Sequence, residues 1–120
     1  MAGKVLVIDD SLMVRQQVTR ALSEAGFQVT TAADGVQGLE RLAEEVDTGA
    51  IVCDVNMPRM NGIELLERLS AQGRKVPVLM FTTDAQPDLM KRARMLGAKG
   101  WVLKPFKAEV LIAAMKKLTS

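Results

Sequence analysis

Short apolar runs alternate along this chain with longer segments in which apolar residues recur every three or four positions. Five runs have the length of buried strands: Val5–Ile8, Phe27–Thr31, Ala50–Cys53, Val76–Phe81 and Gly100–Leu103. The first intervening segment places Val14, Val18 and Leu22 on one face of a helix, and four later segments repeat this spacing. The spacing extends the second helix to Val46 and the fourth to Gly97. Five strands alternating with five helices predict an α/β fold, a doubly wound parallel sheet covered on both faces.

Residues between these segments are those that begin and end helices. Asp34 and Asn61 are suited to N-caps, and Glu64 would complete a capping box with Asn61. Gly26 follows the first helix, where a C-cap is expected, and Pro87 suits a first helical turn. The local chemistry therefore agrees with the periodicity.

The composition is that of one ordinary globular domain over residues 1–120, with 48% apolar and 25% charged residues. Cys53 is the single cysteine, which excludes an internal disulfide, and the lack of histidine argues against zinc sites and histidine-based triads. No apolar run approaches the ~20 residues that cross a bilayer. Because the N-terminus enters a strand at once and the chain stops after the fifth helix, we expect a stand-alone cytoplasmic domain without membrane insertion.

The net charge of +2 conceals an asymmetry between the two parts of the chain. Residues 1–85 carry 8 Lys and Arg against 12 Asp and Glu, whereas residues 86–120 carry 8 against 2. The acidic part suits a cation and the basic part an acidic partner surface, although solvated helix faces would give the same pattern. Nucleic acid is a less favoured partner because the basic residues are not interleaved with aromatic ones.

Polar residues follow several of the predicted strands. Asp9 and Asp10 end the first run and Asp54 ends the third, and parallel strands would bring all three to one edge of the sheet. Three such acids repel each other by roughly 4 kcal/mol per close pair at an effective dielectric of 20. A divalent cation, a lysine or a bound proton must relieve this repulsion. Thr82 and Lys104 end the fourth and fifth runs at the same edge.

This set of residues predicts a magnesium-dependent phosphoryl site. Mg²⁺ takes about six oxygen ligands and keeps several waters, so we expect Asp10 and Asp54 to bind it directly and Asp9 partly through water. Asp54 could also act as a nucleophile and form an aspartyl phosphate. Lys104 would then neutralise phosphoryl oxygens and the Thr82 hydroxyl would donate to one of them. The alternative is structural, with the acid pair as a helix cap and Lys104 as a surface lysine.

Five segments that carry these residues are distributed along the chain: Val7-Ile8-Asp9-Asp10-Ser11, Asp54-Val55-Asn56-Met57-Pro58, Asn61-Gly62, Phe81-Thr82-Thr83 and Leu103-Lys104-Pro105-Phe106. In their order and spacing they resemble the bacterial response-regulator receiver domain, in style the single-domain chemotaxis type. The resemblance implies a flavodoxin-like sheet of order 2-1-3-4-5. It also implies that a sensor histidine kinase transfers a phosphoryl group from its phosphohistidine to Asp54 with Mg²⁺.

The resemblance further assigns roles to single residues. Asp9 and Asp10 match the metal-binding acids of the family, and the backbone carbonyl of Asn56 matches its third protein ligand. Lys104 matches the invariant lysine, its bond to Pro105 being cis in the family. The two variable positions that flank the site and tune hydrolysis match Asn56 and Asp84. Thr83, directly after the switch hydroxyl, is bulkier than usual there, so it should narrow access to the phosphoryl group and change the phosphorylation and dephosphorylation rates.

The resemblance also implies a switch. Thr82 would move toward the phosphoryl group, and an aromatic residue on the fifth strand, here Trp101, would turn inward. Because tryptophan is larger than the usual tyrosine or phenylalanine, the extent of its rotation stays open. The downstream partner is expected on the face of the fourth helix, fifth strand and fifth helix. This face is predicted to carry five basic residues: Lys91, Arg92, Arg94, Lys99 and Lys107.

The favoured interpretation is a monomeric regulator of chemotaxis or motility that catalyses only its own phosphorylation and dephosphorylation. Several other functions compete with this interpretation. A phosphate shuttle or an allosteric kinase regulator would use the same site, and a receiver could signal by contact alone. A dehalogenase-type phosphatase needs a second acid where this chain has Asn56, whose amide cannot act as a general acid. A flavodoxin-like cofactor binder would place a phosphate against Asp9 and Asp10, which would repel it.

Overall fold

A computed structural model describes residues 3–83 and 86–120 of the chain, and within them five strands alternate with five helices. The elements are β1 (Lys4–Ile8), α1 (Leu12–Glu24), β2 (Gln28–Ala32), α2 (Gly35–Glu44), β3 (Ala50–Cys53), α3 (Gly62–Ala71), β4 (Val78–Thr82), α4 (Pro87–Met95), β5 (Ala98–Leu103) and α5 (Ala108–Thr119). Every strand pairing in the described part is parallel, and the strand order is β2-β1-β3-β4-β5. The predicted fold class and strand order are confirmed.

The three central strands are buried on both faces, which explains their continuous apolar runs. Along β1, Val5 and Val7 pack with residues of α1 and α5, while Leu6 and Ile8 pack with residues of α2 and α3. This alternation follows from the two-residue period of a strand. The sheet therefore separates two apolar clusters and is held rigidly between them, which fixes the strand ends that carry the polar residues.

The predicted helix caps are present. Asp34 accepts a hydrogen bond from the backbone of Gln37, and Asn61 forms a capping box with Glu64. Gly26, with φ 98°, follows α1 directly after its C-cap residue. Pro87 begins α4. These local predictions hold because each depends on residues within one turn of the helix end.

Two predicted helix ends are wrong. Val46 lies outside α2, which ends at Glu44, and its side chain is 78% exposed. Gly97 follows α4 and has φ 107°, a left-handed conformation that ends the helix rather than continuing it. The strands differ from the predicted runs by one or two residues, since Phe27 and Val76 precede β2 and β4. Apolar spacing alone does not show where a helix leaves the sheet surface.

Candidate functional site

The three predicted carboxylates meet at the carboxyl edge of the sheet. Asp9 follows β1 and Asp54 follows β3; the Asp54 backbone N–H donates to the Ile8 carbonyl at 2.9 Å. Asp9, Asp10 and Asp54 each offer an oxygen within 4.8 Å of the others. Asp9 and Asp54 are buried, whereas Asp10 is exposed. The predicted convergence is confirmed, and one member of the cluster remains open to solvent.

Lys104 joins two of these acids. Its Nζ donates to Asp9 Oδ2 at 2.5 Å and to Asp54 Oδ2 at 3.1 Å. Its backbone N–H donates to the Thr82 carbonyl at 3.0 Å, and its bond to Pro105 is cis. Burial alone would lower the pKa of Lys104, but the hydrogen bonds and charges of the two carboxylates outweigh it and raise that pKa. The amine is therefore held charged between Asp9 and Asp54.

Backbone and side-chain donors fix the acidic loop. The Ser11 N–H donates to Asp9 Oδ1 at 2.9 Å and the Asn56 N–H to Asp54 Oδ1 at 3.4 Å. Arg15 Nη1 donates to the Asp9 carbonyl at 2.7 Å. Sequence reasoning missed Arg15, although it follows the helix-capping Ser11 by four residues, one turn into α1. That spacing could have placed its side chain near the carboxyl edge.

The other predicted site residues lie around this cluster, with one exception. Thr82 is buried at the end of β4, while Thr83 and Asn56 are exposed. Thr83 and Lys104 line a cavity of about 570 Å³, but none of the three acids lines it. Asp84 lies outside the described residues.

Trp101 lies on β5 and is half-buried against one of the two apolar clusters. Its indole Nε1 is buried and, among the described residues, has no hydrogen-bond partner. A buried N–H without a hydrogen bond costs free energy, so this conformation is unfavourable for the indole N–H of Trp101.

Cys53 is buried directly before Asp54. Its thiol donates to the Asp54 carbonyl at 3.2 Å. Burial, followed by the nearby charges of Asp54 and Asp9, raises the pKa of this thiol. A protonated, buried thiol is unsuited to nucleophilic or metal chemistry, in agreement with a packing role.

The basic residues predicted on one face do not all point the same way. Arg92 Nη2 forms an ion pair with Glu67 Oε2 of α3 at 2.6 Å, so it is directed toward α3 and not toward α5. This corrects the prediction that sequence position alone places it on the partner face. Four others are exposed on or next to α4, β5 and α5: Lys91, Arg94, Lys99 and Lys107. Met95, Leu103 and Val110 of the same elements are also exposed.

The donor set of the acid cluster fits a divalent cation. All its ligand atoms are carboxylate oxygens, which hard cations such as Mg²⁺ prefer. Three carboxylates and the Lys104 ammonium carry a formal charge of −2 together, which one divalent cation would balance. The cluster could therefore bind such an ion through Asp10 and Asp54, with Asp9 engaged by Lys104.

Within residues 3–83 and 86–120, no helix combines the length and apolar character that a membrane-spanning helix requires.

Comparisons with known proteins agree with this geometry. A family model of the response regulator receiver domain matches residues 5–116. Response regulator MprA of Mycobacterium ulcerans is 38% identical over 120 residues, which cover 98% of this chain and 50% of that protein. The chain thus spans about half the length of MprA relatives. Chemotaxis protein CheY1 of Helicobacter pylori is 35% identical over 111 residues, 90% of each chain.

A solved structure leads to the same family. That of the chemotaxis protein CheY4 of Vibrio cholerae matches with a TM-score of 0.90 and 37% identity, covering 98% of this chain and 99% of that one. The family is one of signalling regulators in two-component systems, which interact with histidine kinases and downstream targets. The chain therefore belongs to the response regulator receiver domain family.

Proposed function

We propose that this receiver accepts a phosphoryl group on Asp54 from the phosphohistidine of a sensor histidine kinase, in the presence of Mg²⁺. The observation that carries the proposal is the Lys104 ammonium, which lies within 3.1 Å of Asp54 Oδ2 and 2.5 Å of Asp9 Oδ2. A cation placed on a buried carboxylate pair suits a site that must accept further negative charge. Purely structural carboxylates would not need to be crowded in this way.

In the proposed transfer, an Asp54 carboxylate oxygen attacks phosphorus and forms a new P–O bond. The P–N bond of the phosphohistidine breaks, and the imidazole leaves with the electron pair and takes a proton from solvent. The product is an acyl phosphate on Asp54. Hydrolysis, with water attacking phosphorus, returns the carboxylate and inorganic phosphate.

The other residues act by charge and position. Lys104 is proposed to keep its contact with Asp9 and to donate to a phosphoryl oxygen once Asp54 is modified. Thr82, buried at the end of β4, would donate its hydroxyl to another. Asp10, Asp54 and the Asn56 carbonyl would hold Mg²⁺, with Asp9 engaged partly through water, and the bound ion would supply positive charge to offset the phosphoryl oxygens.

The proposed output is a change on the α4-β5-α5 face. Movement of Thr82 toward the phosphoryl group would free space near β5, and Trp101 would respond by shifting its ring. The unpaired Nε1 supports this, because a new position could give the indole N–H a partner. A target with acidic groups would then bind the exposed basic and apolar residues of this face. Control of chemotaxis or motility is the proposed role, supported by similarity to CheY1 and CheY4.

The kinase is proposed to approach at the start of α1. Leu12 and Met13 are 60% and 67% exposed there, directly after the acid pair. Exposed apolar side chains beside a reactive site are suited to protein contact. A donor histidine docked on them would lie at the carboxyl edge, where Asp54 is found.

The test is the intact mass of the protein after incubation with acetyl phosphate, with and without Mg²⁺. Wild type is expected to gain one phosphoryl group only with the metal, and Asp54→Asn to gain none. Asp47→Asn, the same change at an exposed carboxylate that pairs with Lys4 at the start of β1, is the matched control and should behave as wild type. Two negative results together would favour a receiver that acts by contact alone. Folded wild type would gain no mass, and a beryllium fluoride complex would leave Trp101 fluorescence unchanged.

A further inference from the structure

A second cavity lies at the opposite edge of the sheet from the acid cluster. It has a volume of about 330 Å³ and opens between the end of α3, the start of β4 and the turn from α4 into β5. Val78 lines it and begins β4, whereas Thr82 ends the same strand at the acid cluster. Four steps of about 3.3 Å separate the two residues by about 13 Å. An occupant of this cavity, called the amino-edge groove below, would not touch Asp54.

The lining of the amino-edge groove is mainly apolar. Leu66, Leu69 and Val78 are buried beneath it, and Val76 and Leu96 are half-buried along it. Ligand pockets range from about 300 to 1,000 Å³, so this groove lies at the lower end of that range and has room for an apolar side chain but not for a large cofactor.

Two glycines keep the entrance open. Gly73 and Gly97 line the groove with φ 68° and 107°, conformations that residues with a Cβ rarely adopt. A methyl group built on either would meet no atom within 4 Å. The space above both residues is therefore free for a ligand, and larger side chains are disfavoured there by the backbone.

The rim of the groove is positively charged. Arg74, Lys75 and Lys99 line it, and no acidic side chain does so among the described residues. Arg74 donates to the Leu42 carbonyl at 2.9 Å, while Lys75 and Lys99 have no ion-pair partner in the described part of the chain. Helices α3 and α4 both end here, each contributing about half a negative charge. The two helix ends together contribute about one negative charge, so the three cations leave an excess of about two positive charges at the rim.

We propose that the amino-edge groove binds an acidic segment of a partner protein, which inserts one apolar side chain beside Leu69 and Leu96. Its carboxylates pair with Lys75 and Lys99. Because these lysines lie on separate elements, carboxylates spread along a peptide match them better than the single head group of a small amphiphile. The site shares Lys99 with the α4-β5-α5 face but is otherwise built from the end of α3, the start of β4 and the turn after α4, and it does not require phosphorylation.

The test uses the unphosphorylated full chain and a capped peptide of aspartates and glutamates around one central leucine. Amide NMR shifts are expected to change and saturate around Gly73, Gly97 and Lys99. Lys75→Glu combined with Lys99→Glu should weaken binding about tenfold or more, a loss of about 1.4 kcal/mol. The matched control reverses Lys116 and Lys117 to glutamate; these exposed residues end α5 and their reversal gives the same change in net charge. Its affinity should be unchanged.

Several results would overturn the proposal. Equal weakening in both double variants, or shifts spread over α5, would indicate unspecific attraction. A peptide with serine in place of leucine that binds as tightly would remove the apolar role of the groove. Octanoate binding as tightly as the peptide would assign the site to small amphiphiles instead. Asp54→Asn should bind the peptide like wild type, so loss of the proposed phosphorylation leaves this test intact.

Discussion

Asp9 and Asp54 are buried at the carboxyl edge of the sheet, whereas Lys75 and Lys99 are exposed at its amino edge. The path of the chain accounts for this difference in sign. Each strand is followed by a helix whose N-terminus lies near the carboxyl edge and whose C-terminus lies near the amino edge. Helix N-termini favour negative groups and helix C-termini favour positive ones. The fold thus supplies the electrostatic background on which both surfaces are built.

The two edges differ more in burial than in sign. Taking charges out of water is costly and is recovered only where the partners are well placed, as Lys104 is between Asp9 and Asp54. At the amino edge the lysines keep their solvation, and apolar side chains line the groove between them. We infer that the carboxyl edge sacrifices stability for chemistry and that the amino edge does not. Equivalent changes at the two edges should therefore have unequal effects.

The largest difference is expected from adding one methyl group at each edge. A Cβ on Gly62 would clash with the Asp54 carbonyl oxygen, whereas one on Gly49, before β3, would lie 3.4 Å from the Lys4 carbonyl oxygen. Gly62→Ala should cost about 1–3 kcal/mol of unfolding free energy and slow phosphorylation, because the Asp54 loop must move. Urea unfolding and the rate of mass gain measure the two effects. Gly49→Ala is the control, and equal losses for both variants would contradict the account.

An intermediate effect is expected at the cap of α2. Burial alone would raise the pKa of Asp34, but hydrogen bonds from Arg59 and from the Gln37 backbone hold that pKa below its usual value of 3.8. Asp34→Ala should cost about 1–2 kcal/mol at neutral pH through loss of the cap. Asn61→Ala removes a comparable cap that does not titrate.

The sign of the pH dependence follows from the lowered pKa. The unfolded state takes up the Asp34 proton first as pH falls, so the stabilisation is complete above 3.8 and is lost through the lower pKa of the folded state. Unfolding titrations should show the cost of Asp34→Ala shrinking on acidification, while that of Asn61→Ala stays constant. A constant cost for both would show that the charge of Asp34 contributes nothing.

Removal of one carboxylate charge is expected to change the free energy of unfolding least. The change should have opposite signs at the two edges. Asp10→Asn should raise the stability of the metal-free protein by up to about 1 kcal/mol, because it relieves repulsion within the cluster. Asp47→Asn should lower stability slightly, because Asp47 pairs with Lys4 at 3.1 Å near the amino edge. Urea unfolding with and without Mg²⁺ tests this. Of the two variants, Asp47→Asn should be stabilised by the metal and Asp10→Asn should not. A loss of stability in Asp10→Asn would contradict the proposed crowding.

The strands and helix caps that could be predicted from the sequence are those that depend on local chemistry. The runs that became β1, β3 and β4 were recognisable because these strands are buried on both faces. The caps at Asp34 and Asn61 depend on residues within one turn. Val46 misled the prediction because its spacing is helical but α2 has ended before it.

What escaped prediction depends on distances between elements. Arg92 pairs with Glu67 because α3 and α4 are neighbours, and Arg15 reaches the Asp9 carbonyl because α1 begins beside it. The amino-edge groove has no sequence motif, since it forms where two helices end above the start of β4. By contrast, the acid cluster was predictable because strand ends of a parallel sheet must share an edge.

The residue that carries the phosphoryl group, which we propose is Asp54 and not Asp9 or Asp10, can be identified chemically. Sodium borohydride reduces an aspartyl phosphate to homoserine, and peptide mass spectrometry then locates the changed residue. After incubation with acetyl phosphate and Mg²⁺, we expect homoserine at position 54 alone. Homoserine at position 9 or 10, or phosphorylated protein that yields none, would contradict it.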